Sequence, residues 1–124
     1  MTNIYLYTTI IYKGPMKKIK LKKPLIFEWD EGNKEKNVQK HNVQNSETEE
    51  IFFNSPIIIE DISHSQDEER YFAFGTTDKG RHLIISFTLR GEKQERIRPI
   101  MSRDQHKKER IYEQTLRKGV VKNK

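Results

Sequence analysis

Apolar residues in this chain come in short runs broken by charge, and the period of those runs changes along the sequence. The longest, Ile4 to Tyr12, is diluted by Thr8 and Thr9 and falls far short of the roughly 20 residues that a membrane-spanning helix needs. Lysines follow it instead of preceding it, the reverse of the order in a signal peptide. Met16 offers a second start after Gly14-Pro15, so residues 1–15 read as an extension outside the fold. Their Ile, Tyr and Thr would equally suit an extra strand.

From Lys18 to Lys22 the alternation is strict, the pattern of a lysine-faced edge strand or a solvated arm. Pro24 interrupts it, and Leu25 to Trp29 reads as a short strand. Asp30 then caps a helix through Lys40, with Asn42 placed for the left-handed residue that ends it. Ser46-Glu47-Thr48-Glu49 fits a capping box and opens a brief helix carrying Ile51, Phe52 and Phe53, ended by Pro56. Ile57 to Ile59 is β-branched, and Ile62 to Glu69 is a polar loop. Two further strands, Arg70 to Thr76 and Arg81 to Leu89, flank the turn-prone Thr77-Asp78-Lys79-Gly80. A fourth run, Glu95 to Met101, contains Pro99, whose missing N–H predicts an edge or a bend. Ser102-Arg103-Asp104-Gln105 fits a second capping box, opening a helix that runs to Lys118 and stops at Gly119, with 119–124 as a disordered tail. The pattern predicts an α+β fold: one domain over 16–118, a small, mainly antiparallel sheet with its helices gathered on one side.

The chain has 124 residues, of which 33% are hydrophobic, too few for a large core. Without Cys, disulfides, thiolate metal sites and cysteine nucleophiles are excluded. Lys and Arg exceed Asp and Glu by 24 to 18, a formal net charge of +6 that favours an anionic partner. Nucleic acid ranks first, an acidic protein second and a membrane surface third.

An ordered set of residues then becomes specific. Phe27-Glu28-Trp29-Asp30, Asn37, Lys40-His41, Phe52-Phe53 with Pro56, Asp61 and His64-Ser65 come first. Glu69-Arg70, Gly75-Thr76, Gly80-Arg81, Phe87-Thr88, Arg90, Arg98, Ser102-Arg103, Glu109-Arg110 and Tyr112-Glu113 follow. From Leu25 to Glu113 this set resembles the BrnT toxins of bacterial type II toxin–antitoxin pairs. The resemblance implies a RelE-like fold and a cytoplasmic ribonuclease that arrests translation and growth. It also implies neutralisation by a BrnA-like antitoxin whose ribbon-helix-helix part binds operator DNA. The toxin would co-repress only through that complex, pairing with itself inside it. Three departures stand out: Asn42 where the family prefers Gly, Pro99 in place of a strand-forming apolar residue, and residues 1–15 without a counterpart.

Metal-free RNA cleavage needs a base for the 2′-hydroxyl, an acid for the leaving 5′-oxygen and cations around the phosphorane, giving a 2′,3′-cyclic phosphate. The candidate catalytic set is Lys40, His41, Glu69, Arg70, Arg81 and Arg103, with Arg90, Arg96, Arg98 and Lys107 as RNA contacts. Arg96 and Arg98 share a strand face and suit a phosphate groove, or else a solvated face balanced by Glu92 and Glu95. Arg103 is placed at a helix N-terminus, where phosphate is favoured. Lys40 and His41 either complement a helix dipole or serve as phosphate contact and proton shuttle. His64, beside Asp61, Asp67 and Glu68, is a second candidate acid or a loop cap. Glu69 with Arg70 makes a base and phosphate clamp, or a surface ion pair. Phe27 and Trp29 read as core more than as a stacking platform, and Tyr112 as a contact for a partner or a base. No cofactor is expected, since no His and carboxylate cluster has metal-ligand spacing. Two other readings stay open: a non-catalytic basic module binding RNA or protein, and an inactive toxin bent at Pro99, which Pro99→Ile would restore.

Overall fold

The computed structural model describes residues 19–64 and 68–122. Its strands are β1 (Ile26–Phe27), β2 (Ile57–Glu60), β3 (Arg70–Thr76), β4 (His82–Arg90) and β5 (Arg96–Asp104), and its helices α1 (Lys36–His41), α2 (Asn45–Phe53) and α3 (Lys107–Lys122). They form one sheet in the order β1-β5-β4-β3-β2. The meander from β2 to β5 is antiparallel, and β1 adds a short parallel pairing to β5.

Helices lie on both faces of this sheet, not on one. β3 and β4 carry apolar residues at both parities, and successive strand residues point to opposite faces, so each face has to be covered. Tyr71, Ala73, Leu83, Ile85, Phe87 and Ile97 pack with Val43, Ile51 and Phe52 on one side. Ile59, Phe72, Phe74 and Ile84 pack with Tyr112 and Leu116 of α3 on the other. Tyr112 is therefore core, 4% exposed, and its hydroxyl pKa is pushed up to about 12 by burial; it is no contact for a partner or a base. Phe27 joins the first layer, as expected, while half-buried Trp29 donates from Nε1 to Glu49 Oε2 at 2.8 Å. A Cβ on Gly75 would meet Ile51 Cγ2 at 2.9 Å, so α2 rests on β3 only because that residue is glycine.

Two asparagines cover the edge that short β1 leaves open on β5. Asn33 Nδ2 donates to the carbonyls of Glu28 and Pro99, both at 2.9 Å. Asn37 Oδ1 accepts the Ser102 amide at 3.0 Å. Both side chains are almost wholly buried and stand in for a missing strand, which fixes α1 against β5. The register shifts between Ser86 and Phe87, where Met101 and Pro99 are their partners and Ile100 is the extra residue. This is the bend that Pro99 predicts.

Several boundaries move. Residues 19–22 form no strand, although Ile19 and Leu21 do pack on the core; Lys18 and residues 1–15 lie outside the described residues. α1 begins six residues after Asp30, whose carbonyl and carboxylate instead close turns to Lys34 and Gly32. Asn42 is left-handed, with φ 54° and ψ 38°, as expected. The capping box of α2 pairs Gln44 with Glu47, two residues ahead of the predicted one, because Glu49 is held by Trp29. The expected loop after β2 includes a 3-10 turn, Ile62–His64. Ser102, Arg103 and Asp104 continue β5 and do not open a helix: their ladder with Leu83 to Ile85 wins over the local capping pattern. α3 starts at Lys107, and Glu109 Oε1 accepts the His106 amide at 2.8 Å. It passes through Gly119 to Lys122, beyond the predicted stop and into the predicted tail.

Candidate active site

Four of the six predicted catalytic residues, Lys40, His41, Arg81 and Arg103, gather where the end of α1 meets the end of β5. Arg81 organises the corner. The turn before it is closed by the Thr77 amide donating to Arg81 O at 2.8 Å and the Arg81 amide donating to Thr77 Oγ1 at 2.9 Å. Its guanidinium donates through Nε to Asp104 Oδ1 at 2.7 Å and through Nη2 to Oδ2 at 3.0 Å. Nη1 donates to Glu47 Oε1 at 3.1 Å and to Asn42 O at 2.9 Å, and Nη2 to His41 O at 3.3 Å. The last two are carbonyls that α1 leaves unsatisfied at its C-terminus. All five guanidinium N–H donors are thereby engaged.

Arg103 is held differently. It lies on β5 opposite Ile84, and its Nη1 and Nη2 each donate to a Glu109 carboxylate oxygen at 2.8 Å. The Glu109 side chain is fully buried while Arg103 keeps 19% of its surface in contact with solvent. Nη1 also donates to the Asp104 carbonyl at 3.2 Å, and the buried carboxylate fixes where the guanidinium stands.

His41 closes α1, half-buried, and its imidazole has no hydrogen-bond partner among the described residues. Burial first, then the Arg103 guanidinium and the Lys40 ammonium, push its pKa below the ordinary value; Asp104 opposes them and Lys36 adds to the depression. The ring is thus held neutral near pH 7, the state a general base requires. Lys36 and Lys40 are exposed and carry no ion pair among the described residues. The carboxylates of the corner are committed to arginines, and Arg81 holds Asp104 well below the usual carboxylate range. Lys107 opens α3 beside the Arg103–Glu109 pair and is exposed.

The remaining predicted residues collect elsewhere. Arg96 and Arg98 do share a face and are joined there by Arg90, but carboxylates occupy all three. Arg90 Nε donates to Glu68 at 2.6 Å, Arg96 Nε to Glu28 at 2.8 Å, and Arg98 Nη1 to Asp30 at 2.7 Å and Glu28 at 3.1 Å. The balancing groups are Glu28, Asp30, Glu68 and Glu95, with Glu95 alone among those read from the sequence. Glu68 and Asp30 are drawn below their ordinary pKa by Arg90 and Arg98 respectively. Arg70 faces Thr88 at this same end, and Glu69 accepts the Tyr71 hydroxyl at 3.4 Å. Since Arg98 pairs with Thr88 and Arg103 with Ile84, the two clusters lie about 13 Å apart along β4. Asp61 is buried and accepts the Ser63 hydroxyl at 2.9 Å; the His64 side chain and Asp67 lie outside the described residues.

Sequence reading missed Glu47, Asp104 and Glu109 as members of the corner. Glu47 and Asp104 fell inside apparent capping boxes, and only the strand register turns Asp104 towards Arg81. Glu109 was visible as the partner of Arg110 in the ordered set, but nothing local marks it as the anchor of a residue on another element.

No curated protein matches the chain. The sequence model of the family described as "Ribonuclease toxin, BrnT, of type II toxin-antitoxin system" matches residues 29–109, from Trp29 at the end of the β1 segment to Glu109 beneath Arg103. That span covers well over half of the chain and takes in every residue of the His41 corner, and so the protein belongs to the BrnT family of ribonuclease toxins of type II toxin–antitoxin systems.

Proposed function

We propose that the chain is a metal-independent endoribonuclease whose reaction centre is the His41 corner. The observation that carries this is a neutral imidazole, without a hydrogen-bond partner among the described residues, that faces Arg103 and Lys40. His41 takes the proton of the 2′-hydroxyl, and the 2′-oxygen attacks phosphorus. Arg103 meets the non-bridging oxygens, where charge accumulates, and Lys40 supplies positive charge on the side of the leaving 5′-oxygen, which takes up a proton from solvent water as the P–O bond breaks. The products are a 2′,3′-cyclic phosphate and a 5′-hydroxyl. A divalent metal would want free carboxylates, and those here are engaged by Arg81 and Arg103.

As a toxin of this class the protein has an antitoxin partner and RNA as substrate. The finer reading is a cytoplasmic enzyme that arrests translation, held by a BrnA-like ribbon-helix-helix antitoxin. The complex contains a toxin dimer and reaches operator DNA only through the antitoxin. Cleavage of a single-stranded RNA in EDTA, by wild type beside His41→Ala and Arg103→Ala, tests the catalytic part. Loss of RNA with wild type alone supports it. Intact RNA with salt-sensitive binding, in the presence and absence of ribosomes, would establish the non-catalytic module instead.

A further inference from the structure

We infer that Arg81 is a positioning residue, whose work is to fasten His41 in its catalytic place and not to touch RNA. The inference rests on the reading of His41 as the base. A residue that contacts phosphate needs donors to spare, and Arg81 has none: its five N–H groups go to Asp104, Glu47 and the carbonyls of His41 and Asn42. Those acceptors belong to three separate parts of the chain, namely the end of β5, the first turn of α2 and the C-terminal end of α1. α1 has only six residues and too few internal bonds to hold itself. Its far end is pinned by Asn37 on β5, and the end carrying His41 is pinned by Arg81.

The same clamp sets what the imidazole feels. The charged groups facing His41 are Arg103 and Asp104 from β5 and Lys36 and Lys40 from its own helix, with Glu47 of α2 held off on Arg81. While Arg81 grips Asp104 in a two-point pair, the carboxylate is shared and the cations prevail. Remove Arg81, and Asp104 faces the ring unshared while the helix end loosens.

The test uses the full chain as wild type, Arg81→Ala, Arg81→Lys and His41→Ala. Two readouts are taken: the NMR titration of the His41 ring, and cleavage of a single-stranded oligoribonucleotide as kcat, KM and pH profile. In Arg81→Ala the His41 midpoint should move to higher pH, since the freed carboxylate favours imidazolium. The acid limb of kcat/KM should follow it, with kcat down about 10–100-fold and KM within about threefold. Arg81→Lys, which keeps the charge but offers three donors, should fall between and serves if the alanine variant does not fold. A His41 midpoint and kcat unchanged in either folded variant would overturn the inference. So would a loss confined to KM, the mark of a phosphate contact. Wild-type cleavage by His41→Ala would instead overturn the reading of His41 as base.

Discussion

Two clusters of arginine sit on the same sheet, and they differ in what their donors have left to give. On the face formed by Arg90, Arg96 and Arg98, every guanidinium is met by carboxylate, and Glu28 alone serves three of them. At the corner, the carboxylates are consumed by Arg81 and Arg103, while Lys36, Lys40 and the imidazole of His41 have no partner among the described residues. The count of arginines is similar. A basic residue reports on binding only after its neighbours have been subtracted, and by that measure the face is nearly neutral and the corner is not.

The sharpest way to break this comparison is to mutate both clusters and measure cleavage. His41→Ala should lower the rate by about 10²–10⁴-fold and Arg103→Ala by about 10²–10³-fold, whereas Arg96→Ala should stay within a few-fold of wild type. Equal losses on face and corner, read from initial rates on the same RNA, would abolish the distinction. Next in size is a stability effect at the corner. Glu109→Gln leaves the Arg103 guanidinium without its buried counter-charge, so urea denaturation should show a loss of about 3–5 kcal/mol. The half-exposed pairs of the face should each be worth about 0–1 kcal/mol by the same measurement.

Subtler probes use salt and pH. Glu28→Gln should leave Arg98 on Asp30 but free most of Arg96, which keeps only its longer contact to Glu95, and steepen the salt dependence of RNA binding by about one counterion. For activity, the depressed pKa of His41 in the free enzyme places the acid limb of kcat/KM below about pH 6.5, and a limb at or above that value would contradict a ring surrounded by cations. For stability, Asp104 and Glu68 have lowered folded pKa values, so their contribution is complete above about pH 4. It fades as pH falls through the folded values. Acid unfolding monitored by circular dichroism should lose the Asp104 share of this sensitivity in Asp104→Asn and keep that of Glu68.

What the sequence determined was whatever a few neighbouring residues settle among themselves. β3 begins and ends where its β-branched and aromatic run predicts, Asn42 takes the left-handed turn, and the meander follows its turns in order. The family, too, was legible, because its marks are an ordered string. What the tertiary structure decided were matters of long-range competition. Ser102 to Asp104 matched a helix cap locally, yet the ladder with β4 drew them into a strand. Both parities of β3 and β4 were apolar, yet only packing showed that helices must cover both faces. Glu28 neutralises Arg98 from 70 residues away, and Arg81 ties down a helix end 40 residues before it. Backbone preference is local and can be read in order; which charge meets which depends on the register of strands that no short stretch of sequence contains.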